Sequence, residues 1–303
     1  MDLLSIILIV LGLAVYETII SVDNAVINAE VLSTMGPKAR RWFLVWGLLI
    51  AVFLLRGLLP WLIIWGTTPS LGPVGAFIST LSADPKVAEA VESSAPILLI
   101  SGGTFLVFLF FHWLFLETKN YGLSIEKFFA SNGVWFFTVV SVVLATIVWF
   151  AIKEAPLMAF GAVLGSTAYF IIHGFREFAE KAEKDLMSEK KYSDLSKVLY
   201  LELIDASFSI DGVLGAFAFT LSVPLIVLGN GLGALAVRQL TISNIDRIKR
   251  YPYLKNGAMY SILYLGLIMI ADSFGLHIPS WITPVITFII VGYFFWRSIR
   301  KAL

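Results

Sequence analysis

The stretch YETIISVDNAV, residues 16–26, places ionisable side chains inside an apolar segment of the chain. Glu17, Asp23 and Asn24 follow a run composed almost entirely of Leu, Ile, Val and Ala. If this run crosses a lipid bilayer, each charge at the bilayer centre costs roughly 2.5–3.5 kcal/mol. Acidic residues in such a position are therefore a functional signal, and the rest of the sequence decides whether the run does cross a membrane.

The composition is that of a polytopic membrane protein. The chain has 303 residues, 58% of them hydrophobic and 14% charged, whereas a soluble globular chain carries about 25% charged residues. It contains no cysteine, which excludes thiolate metal sites, iron–sulfur clusters and disulfides. The opening MDLLSIILIV has no basic region and no cleavage site of small residues, so we interpret it as the start of a span rather than a signal peptide.

Apolar runs predict an all-α protein with about nine transmembrane helices. The predicted spans are residues 3–34, 42–66, 95–116, 133–152, 155–176, 198–221, 223–243, 256–272 and 280–297. The segment between spans two and three is expected to hold a short surface or re-entrant helix. The loop EFAEKAEKDLMSEKKYSDLSK, residues 177–197, mixes both charge signs densely and predicts a solvated helical extension.

The positions of Lys and Arg predict the orientation in the membrane. All but four of the 22 Lys and Arg residues lie in the connections after the odd-numbered spans or in the C-terminal tail. The exceptions are Lys86 and Lys153, in the other connections, and Arg56 and Arg238, within spans. Because cytoplasmic loops carry the excess of Lys and Arg, we expect a plasma-membrane protein with the N-terminus outside and the C-terminus in the cytoplasm.

The acidic motif occurs a second time. ETIISVDNAV at residues 17–26 corresponds to DASFSIDGVL at 205–214, and GLLIAVFLLR at 47–56 corresponds to GNGLGALAVR at 229–238. Span one thus matches span six, and span two matches span seven. An odd separation of five spans turns the two halves upside down relative to each other, which is the plan of inverted-repeat transporters.

We therefore predict a first repeat of about four helices in residues 1–152 and a second in 198–303. Residues 153–197 supply a linker helix and the charged cytoplasmic loop. Chance similarity between apolar stretches is the alternative. The glycines of GNGLGALAV are interpreted as sites of close helix packing rather than a nucleotide loop, because no strand precedes them.

Five carboxylates lie at depth in the two motif spans: Glu17, Asp23, Glu202, Asp205 and Asp211. Without compensation they would cost on the order of 12 kcal/mol, which is comparable with the stability of a whole domain. Arg56 and Arg238 supply two positive charges, and a divalent cation with one proton would balance the rest. Clustered carboxylates raise one another's proton affinity, so exchange of metal for protons is a natural hypothesis, with a channel or uniporter as the alternative.

The oxygen-bearing side chains of the motifs are the candidate metal ligands. They are Glu17, Asp23, Asn24, Glu202, Asp205 and Asp211, with Ser21, Ser209, Asn230, Arg56 and Arg238 in supporting positions. Carboxylate, amide and hydroxyl oxygens suit Mg, Ca or Mn rather than Zn or Cu.

Helix geometry adds one expectation about the motifs. Acids six residues apart lie about 120° apart around a regular helix, so we predict local breaks near Ser21 and Ser209 that would free carbonyl groups to join the carboxylates. His112, His173 and His277 are interpreted as structural, because they lie outside the repeated motifs.

At these residues the chain resembles the TerC family of integral membrane proteins. The likeness rests on ETIISVDNAV and on LELIDASFSIDGVLGAFAFTLSVPLIVLGNGLGALAVRQL. The matching positions are Glu17, Ser21, Asp23, Asn24, Glu202, Asp205, Phe208, Ser209, Asp211, Pro224, Asn230 and Arg238. Gly212 departs from the pattern, since the family often has Ser there. The resemblance implies export of a divalent metal, chiefly Mn²⁺, and a link to tellurite resistance, which we treat as indirect.

Three functions compete at this stage. A secondary transporter of Mn²⁺ or a related hard cation explains the acids and their repetition. An intramembrane enzyme would use paired aspartates to activate water, but no Gly-x-Gly-Asp pattern is present. A membrane scaffold for metal or tellurite stress would act through the 178–198 loop. We expect no enzymatic activity, no bound cofactor and no nucleic acid; the partners are the lipid bilayer and the cation, and homo-oligomerisation stays open.

Overall fold

The computed structural model describes most of the chain. The described residues are 2–21, 25, 28–29, 31–32, 34–47, 50, 58, 61–62, 65–66, 69–81, 85–188, 193–243 and 251–302. Every regular element in these ranges is a helix, which confirms the all-α fold class. The prediction for span two, residues 42–66, lies largely outside the described residues.

Eleven α-helices are described, and we number them in chain order. The first six are α1 (Leu3–Ile20), α2 (Pro37–Trp42), α3 (Gly72–Leu81), α4 (Pro85–Phe115), α5 (Ser124–Ser131) and α6 (Phe136–Glu154). The others are α7 (Pro156–Ser188), α8 (Asp194–Ala216), α9 (Val223–Ser243), α10 (Leu254–Ser273) and α11 (Ile282–Ala302). A π-helix covers Phe43–Gly47, and 3₁₀ turns cover Pro69–Leu71 and Gly133–Trp135.

Six of the described helices are long and apolar enough to cross a bilayer. Their apolar parts are Leu3–Ile20, Ser94–Phe115, Gly133–Glu154, Pro156–Phe178, Leu254–Ser273 and Ile282–Lys301. α9 has a shorter apolar stretch, Val223–Gln239. α8 is not among the six, and its apolar part contains the three acids Glu202, Asp205 and Asp211. The chain is thus a polytopic membrane protein, and the total of nine spans stays a prediction.

The two most extensive helix–helix contacts involve small residues. α4 packs along α10 where Gly103 meets Gly266: a Cβ atom on Gly103 would lie 2.8 Å from the Gly266 carbonyl oxygen. α1 packs along α9, where a Cβ on Gly233 would lie 2.7 Å from the Ala14 carbonyl oxygen. Small residues let helix backbones approach closely in a membrane. The predicted packing role of the glycines in GNGLGALAV is therefore confirmed at Gly233.

The core continues through α4, α7 and α8. Its largest fully buried side chains include Trp113, Phe105 and Phe108 on α4 and Tyr169 on α7. A second apolar cluster joins the segment after α1 to the start of α8 through Leu32, Met35, Phe43 and Leu201. The segment that follows the first motif therefore lies against the helix that carries the second.

The two predicted helix breaks have different outcomes. α1 ends at Ile20 with Ser21 as its C-cap, at the position of the predicted break. α8 runs without interruption from Asp194 to Ala216, so the prediction of a break near Ser209 is wrong. The reason is that the acids of α8 do not converge on one point: Asp205 accepts from Asn28 and Asp211 accepts from Arg176, and a regular helix allows both contacts.

Two connecting segments agree with their predictions. α3 supplies the short helix expected between spans two and three. α7 continues past its apolar part to Ser188, which confirms the helical extension of the charged loop. The described residues do not test the predicted repeat boundaries, so the division into 1–152, 153–197 and 198–303 stays a prediction.

Candidate functional site

Glu17 lies fully buried where α1 meets α8 and α9. Its Oε1 accepts a hydrogen bond from Ser21 Oγ at 2.7 Å. A Cβ atom on Gly212 would lie 2.6 Å from Glu17 Oε2, and one on Gly233 would lie 2.6 Å from Glu17 Cβ. Small residues on α8 and α9 therefore make the space for this carboxylate. The departure at Gly212 has this physical reason, since a side chain there would collide with the acid.

Asp211 is the second buried carboxylate of this region, on α8. Its Oδ2 accepts from the guanidinium of Arg176 on α7 at 2.5 Å, and the Asp211 side chain is only 4% exposed. The Asp211 carbonyl oxygen accepts from Tyr16 Oη at 3.1 Å. Tyr16 and Glu17 are neighbours on α1, and Asp211 and Gly212 are neighbours on α8. Both acids therefore belong to one α1–α8 contact.

Several polar atoms at this contact are buried without a hydrogen bond. Within the described part of the chain they include Asp211 Oδ1, Ser209 Oγ and both amide atoms of Asn230. Asn230 is fully buried on α9, one position from Gly229, whose absent side chain makes room for Leu13 of α1. Leaving such groups unsatisfied costs free energy, so the arrangement is suited to a ligand that binds oxygen atoms.

Glu202 and Asp205 form a separate group nearer the start of α8. Asp205 Oδ1 accepts from Asn28 Nδ2 at 3.0 Å. The Glu202 carboxylate packs against Gly47, and in the described structure neither of its oxygens has a hydrogen-bond partner. Along a helix, Asp205 and Asp211 are about 9 Å apart and about 120° apart around the axis. They cannot bind one ion together.

The predicted ligand set is thus divided. Glu17, Asp211 and Ser21 lie at the inner contact, which we call the inner site. We assign Ser209 and Asn230 to it by helix position, since each precedes by three residues a glycine that faces Glu17. Glu202 and Asp205 form the second group, nearer the start of α8, which we call the outer acids. Asp23, Asn24 and Arg56 are outside the described residues. Among those that are described, no three His, Asp or Glu side chains lie together closely enough to hold a metal ion.

The charge partner of the inner site is a residue that the sequence did not indicate. Arg176 falls at the predicted end of span five, and its position there is typical of an arginine in a cytoplasmic loop. In the structure it reaches Asp211 across the α7–α8 contact. Arg238 is partly buried on α9, and its Nε has no hydrogen bond to any part of the described chain. No local signal distinguishes Arg176 from the other cations of that loop.

The comparisons with known proteins identify the family of the chain. Residues 22–302 match the model of the family described as "Protein of unknown function (DUF475)". The chain belongs to this family. An 82-residue part is 33% identical to "Uncharacterized membrane protein YceF" of Bacillus subtilis (strain 168). This part is 27% of the DUF475 chain and 32% of the relative, so the chain spans about a third of that protein's length. No solved structure matches the chain.

Proposed function

We propose that this DUF475 protein is a secondary transporter that exports a hard divalent cation, Mn²⁺, in exchange for protons. The observation that carries the proposal is the burial of two carboxylates, Glu17 and Asp211, at one helix contact inside an apolar bundle. Buried acids in membrane spans mark ion pathways and proton relays. Their oxygen chemistry favours Mn²⁺, Mg²⁺ or Ca²⁺ over Zn²⁺, and the likeness to the TerC family favours Mn²⁺ and export.

The donor set of the inner site supports a cation rather than an anion. Glu17 and Asp211 supply carboxylate oxygens, and Asn230 and Ser209 supply amide and hydroxyl oxygens that have no hydrogen bond in the described structure. Asp23 and Asn24, six and seven residues after Glu17 in sequence, would complete a set of six oxygens, which is within the range for hard divalent cations.

Arg176 gives the proposed exchange a competitor inside the protein. Its guanidinium occupies Asp211 Oδ2, so a cation that binds Asp211 has to compete with this contact. Arg176 also offsets part of the cost of burying the acid while no cation is bound. The outer acids, Glu202 and Asp205, lie toward the start of α8 and would serve as a second station on the route.

The proposed setting is the plasma membrane, with the N-terminus outside and the C-terminus in the cytoplasm. This orientation would place the outer acids, near the start of α8, on the cytoplasmic side of the inner site. Cytoplasmic Mn²⁺ would then meet Glu202 and Asp205 before it reaches Glu17 and Asp211. The proposal assigns no enzymatic reaction and no resident cofactor to the chain.

Reconstitution into sealed vesicles tests this proposal. We expect the wild-type protein to move Mn²⁺ across the membrane with proton movement in the opposite direction. Glu17→Gln and Asp211→Asn should each lower the flux by about tenfold or more, because metal sites lose 10–100-fold in affinity when even an outer partner is removed. Flux is followed with a Mn²⁺-quenched dye inside the vesicles and a pH dye for the counter-movement.

A matched control is Glu126→Gln. Glu126 is as buried as Glu17 but lies on α5, where it accepts from the Gly122 backbone and Asn256 Nδ2. This variant should keep its flux if the folded fraction, measured by gel filtration, is retained. Wild-type flux no greater than that of empty vesicles would contradict transport. An enzyme would instead form product in detergent, and a scaffold would fail on exchange of the 178–198 loop but tolerate the Glu17 and Asp211 changes.

A further inference from the structure

Two histidines face each other in the interior of the bundle, outside the inner site. The rings of His112 on α4 and His173 on α7 have centroids 4.0 Å apart. Tyr169 stacks parallel to His173 at 5.8 Å, and Phe136 packs edge-on against His112 at 5.7 Å. His112 Nδ1 is buried and has no hydrogen bond among the described residues. Aromatic packing explains the ring contacts but leaves this nitrogen unexplained.

The pair lies one helical turn from the ion pair of the inner site. His173 and Arg176 are three residues apart on α7, so they lie on the same face of that helix. Arg176 in turn contacts Asp211 on α8 at 2.5 Å. On the same face, His173 Nε2 also lies 3.5 Å from Oε1 of Glu177, the residue after Arg176, whose side chain is 62% exposed. The histidines therefore connect the surroundings of Asp211 with an exposed carboxylate.

The other charged groups around the pair are already engaged. Glu117, just after α4, lies 2.6 Å from Lys255 Nζ on α10. Burial alone would raise the pKa of Glu117, but the Lys255 ammonium more than offsets this and keeps the pKa below its ordinary value. α6 contributes Phe136 only, since its charged residues lie at the far end of the helix. The titratable and charged groups that surround the pair are Glu117, Tyr169, Arg176, Glu177, Asp211 and Lys255.

Two imidazole rings in contact at this distance disfavour the binding of a proton by both. Imidazole is the side chain whose protonation ordinarily changes near neutral pH. Two positive charges within about 4–6 Å oppose each other strongly, and Arg176 adds a third charge nearby. The doubly protonated pair is therefore disfavoured, so the pair holds at most one proton.

A proton on the pair and a divalent cation at Asp211 oppose each other in the same way. Both place positive charge next to Arg176, so binding of either one weakens binding of the other. By thermodynamic linkage the effect is reciprocal: the cation lowers the proton affinity of the pair by the factor by which the proton lowers the cation affinity.

We propose that the His112–His173 pair carries a proton that a cation bound at Asp211 displaces. This inference rests on the proposed function, because it concerns the same cation site. In the step, an imidazolium N–H bond breaks, the proton passes to the Glu177 carboxylate and then to water, and the imidazole is left neutral. Glu177 thus gives the proton a route to the surface that is separate from the cation's path along α8.

The number of protons released when Mn²⁺ binds tests this inference. Full-length protein in detergent is titrated with Mn²⁺ in weakly buffered solution containing a pH indicator, between about pH 6 and pH 8. The double variant His112→Gln/His173→Gln should still bind Mn²⁺ but release about one proton fewer per ion than the wild type. In the wild type one linked proton changes the Mn²⁺ affinity by up to about tenfold per pH unit, and the variant should show a flatter dependence.

Three further proteins make the result decisive. His112→Phe/His173→Phe keeps the ring packing, so it replaces the glutamine variant if that one does not fold. Tyr169→Phe keeps the ring beside His173 and should leave the proton count unchanged. Glu177→Gln should slow proton release without changing the number released, because it removes the route and not the acceptor.

The outcomes separate this inference from the proposed function. Mn²⁺ binding with an unchanged proton count in the histidine variants overturns the role of the pair and leaves transport intact. Binding to the wild type without proton release between these pH values overturns both the role of the pair and the exchange for protons, but not the binding of Mn²⁺. Failure of the wild type to bind Mn²⁺ overturns both proposals.

Discussion

The two copies of the acidic motif have nearly the same pattern but different structures. In the first copy, ETIISVDNAV, helix α1 ends at Ile20, and Ser21 Oγ donates a hydrogen bond to Glu17 of α1. In α8, DASFSIDGVL continues as regular helix to Ala216, and the corresponding Ser209 Oγ is buried without a hydrogen bond in the described structure. Asp205, which corresponds to Glu17, accepts instead from Asn28 of another segment.

This difference shows that the motif places polar groups inside the apolar bundle but does not determine which residues they contact. Glu17 occupies the space beside two glycines, Gly212 on α8 and Gly233 on α9. Asp211 lies next to that space but pairs with Arg176 on α7. Each acid is therefore stabilised by what the neighbouring helices present to it, and the equivalent positions of a repeat acquire different roles.

The largest expected effect concerns the Asp211–Arg176 ion pair. Asp211→Asn should lower the free energy of unfolding by about 3–5 kcal/mol, because it leaves the Arg176 charge buried beside a neutral amide. Glu17→Gln should cost about 1 kcal/mol, since the amide oxygen of Gln still accepts the Ser21 bond. Chemical denaturation in detergent micelles measures both values.

The double variant Asp211→Asn/Arg176→Gln supplies the control for this pair. It should recover much of the stability, because neither charge remains without its counterpart. The single variant Arg176→Gln is measured as well. If the losses of stability in Asp211→Asn and Arg176→Gln add up to that of the double variant within about 0.5 kcal/mol, the ion pair contributes nothing. The two motif helices would then differ only in how they pack.

A smaller effect separates the two glycines beside Glu17. In Gly233→Ala the new methyl group meets the Ala14 carbonyl oxygen at 2.7 Å, so backbone has to move and we expect a cost of about 1–3 kcal/mol. In Gly212→Ala the nearest atom is the end of the Glu17 side chain, at 2.6 Å, which can turn away. This variant should fold normally but lose Mn²⁺ affinity.

Melting temperature and Mn²⁺ binding are measured together on both glycine variants. The expected pattern is a lower melting temperature for Gly233→Ala and weaker binding at an unchanged melting temperature for Gly212→Ala. Equal losses of stability in the two variants would show that Gly212 is needed for helix packing rather than for the position of the Glu17 carboxylate.

The smallest effect distinguishes the two serines of the repeat. Ser21→Ala should cost about 1 kcal/mol, because it removes the 2.7 Å bond to Glu17. Ser209→Ala should be neutral or slightly stabilising without metal, since its buried hydroxyl has no hydrogen bond to the described chain. With saturating Mn²⁺ the order should reverse if Ser209 binds the cation. Denaturation with and without Mn²⁺ decides this, and equal behaviour of the two variants would remove Ser209 from the inner site.

The helices themselves could be predicted closely from the sequence. The predicted span 223–243 coincides with α9, and 256–272 lies within α10 to within two residues at the start and one at the end. Hydropathy and length are local properties, so they identify segments that must be helical in lipid. The break predicted near Ser209 was wrong, because the spacing of the acids was interpreted as convergence on one ion, whereas Asp205 and Asp211 have separate partners.

The site was predictable in its residue types but not in its grouping. Glu17 and Asp211 were found from the repeat and Asn230 from the family resemblance, and the structure brings Glu17 and Asp211 to one helix contact. Glu202 and Asp205 were assigned to the same cluster but lie at a different depth. Arg176 was missed because it stands at the end of an apolar run among other cations, where sequence gives every cation the same interpretation.

Sequence by itself determined that this chain spans a membrane, which apolar segments form helices, and that acids recur at matching positions in two of these segments. These results follow from local hydropathy and from the cost of a charge in lipid. Only the tertiary structure decided that Asp211 pairs with Arg176, that Glu17 lies between two glycines, and that two histidines meet. Such contacts depend on the rotation and depth at which helices pack, and close packing of small residues from different parts of the chain sets both.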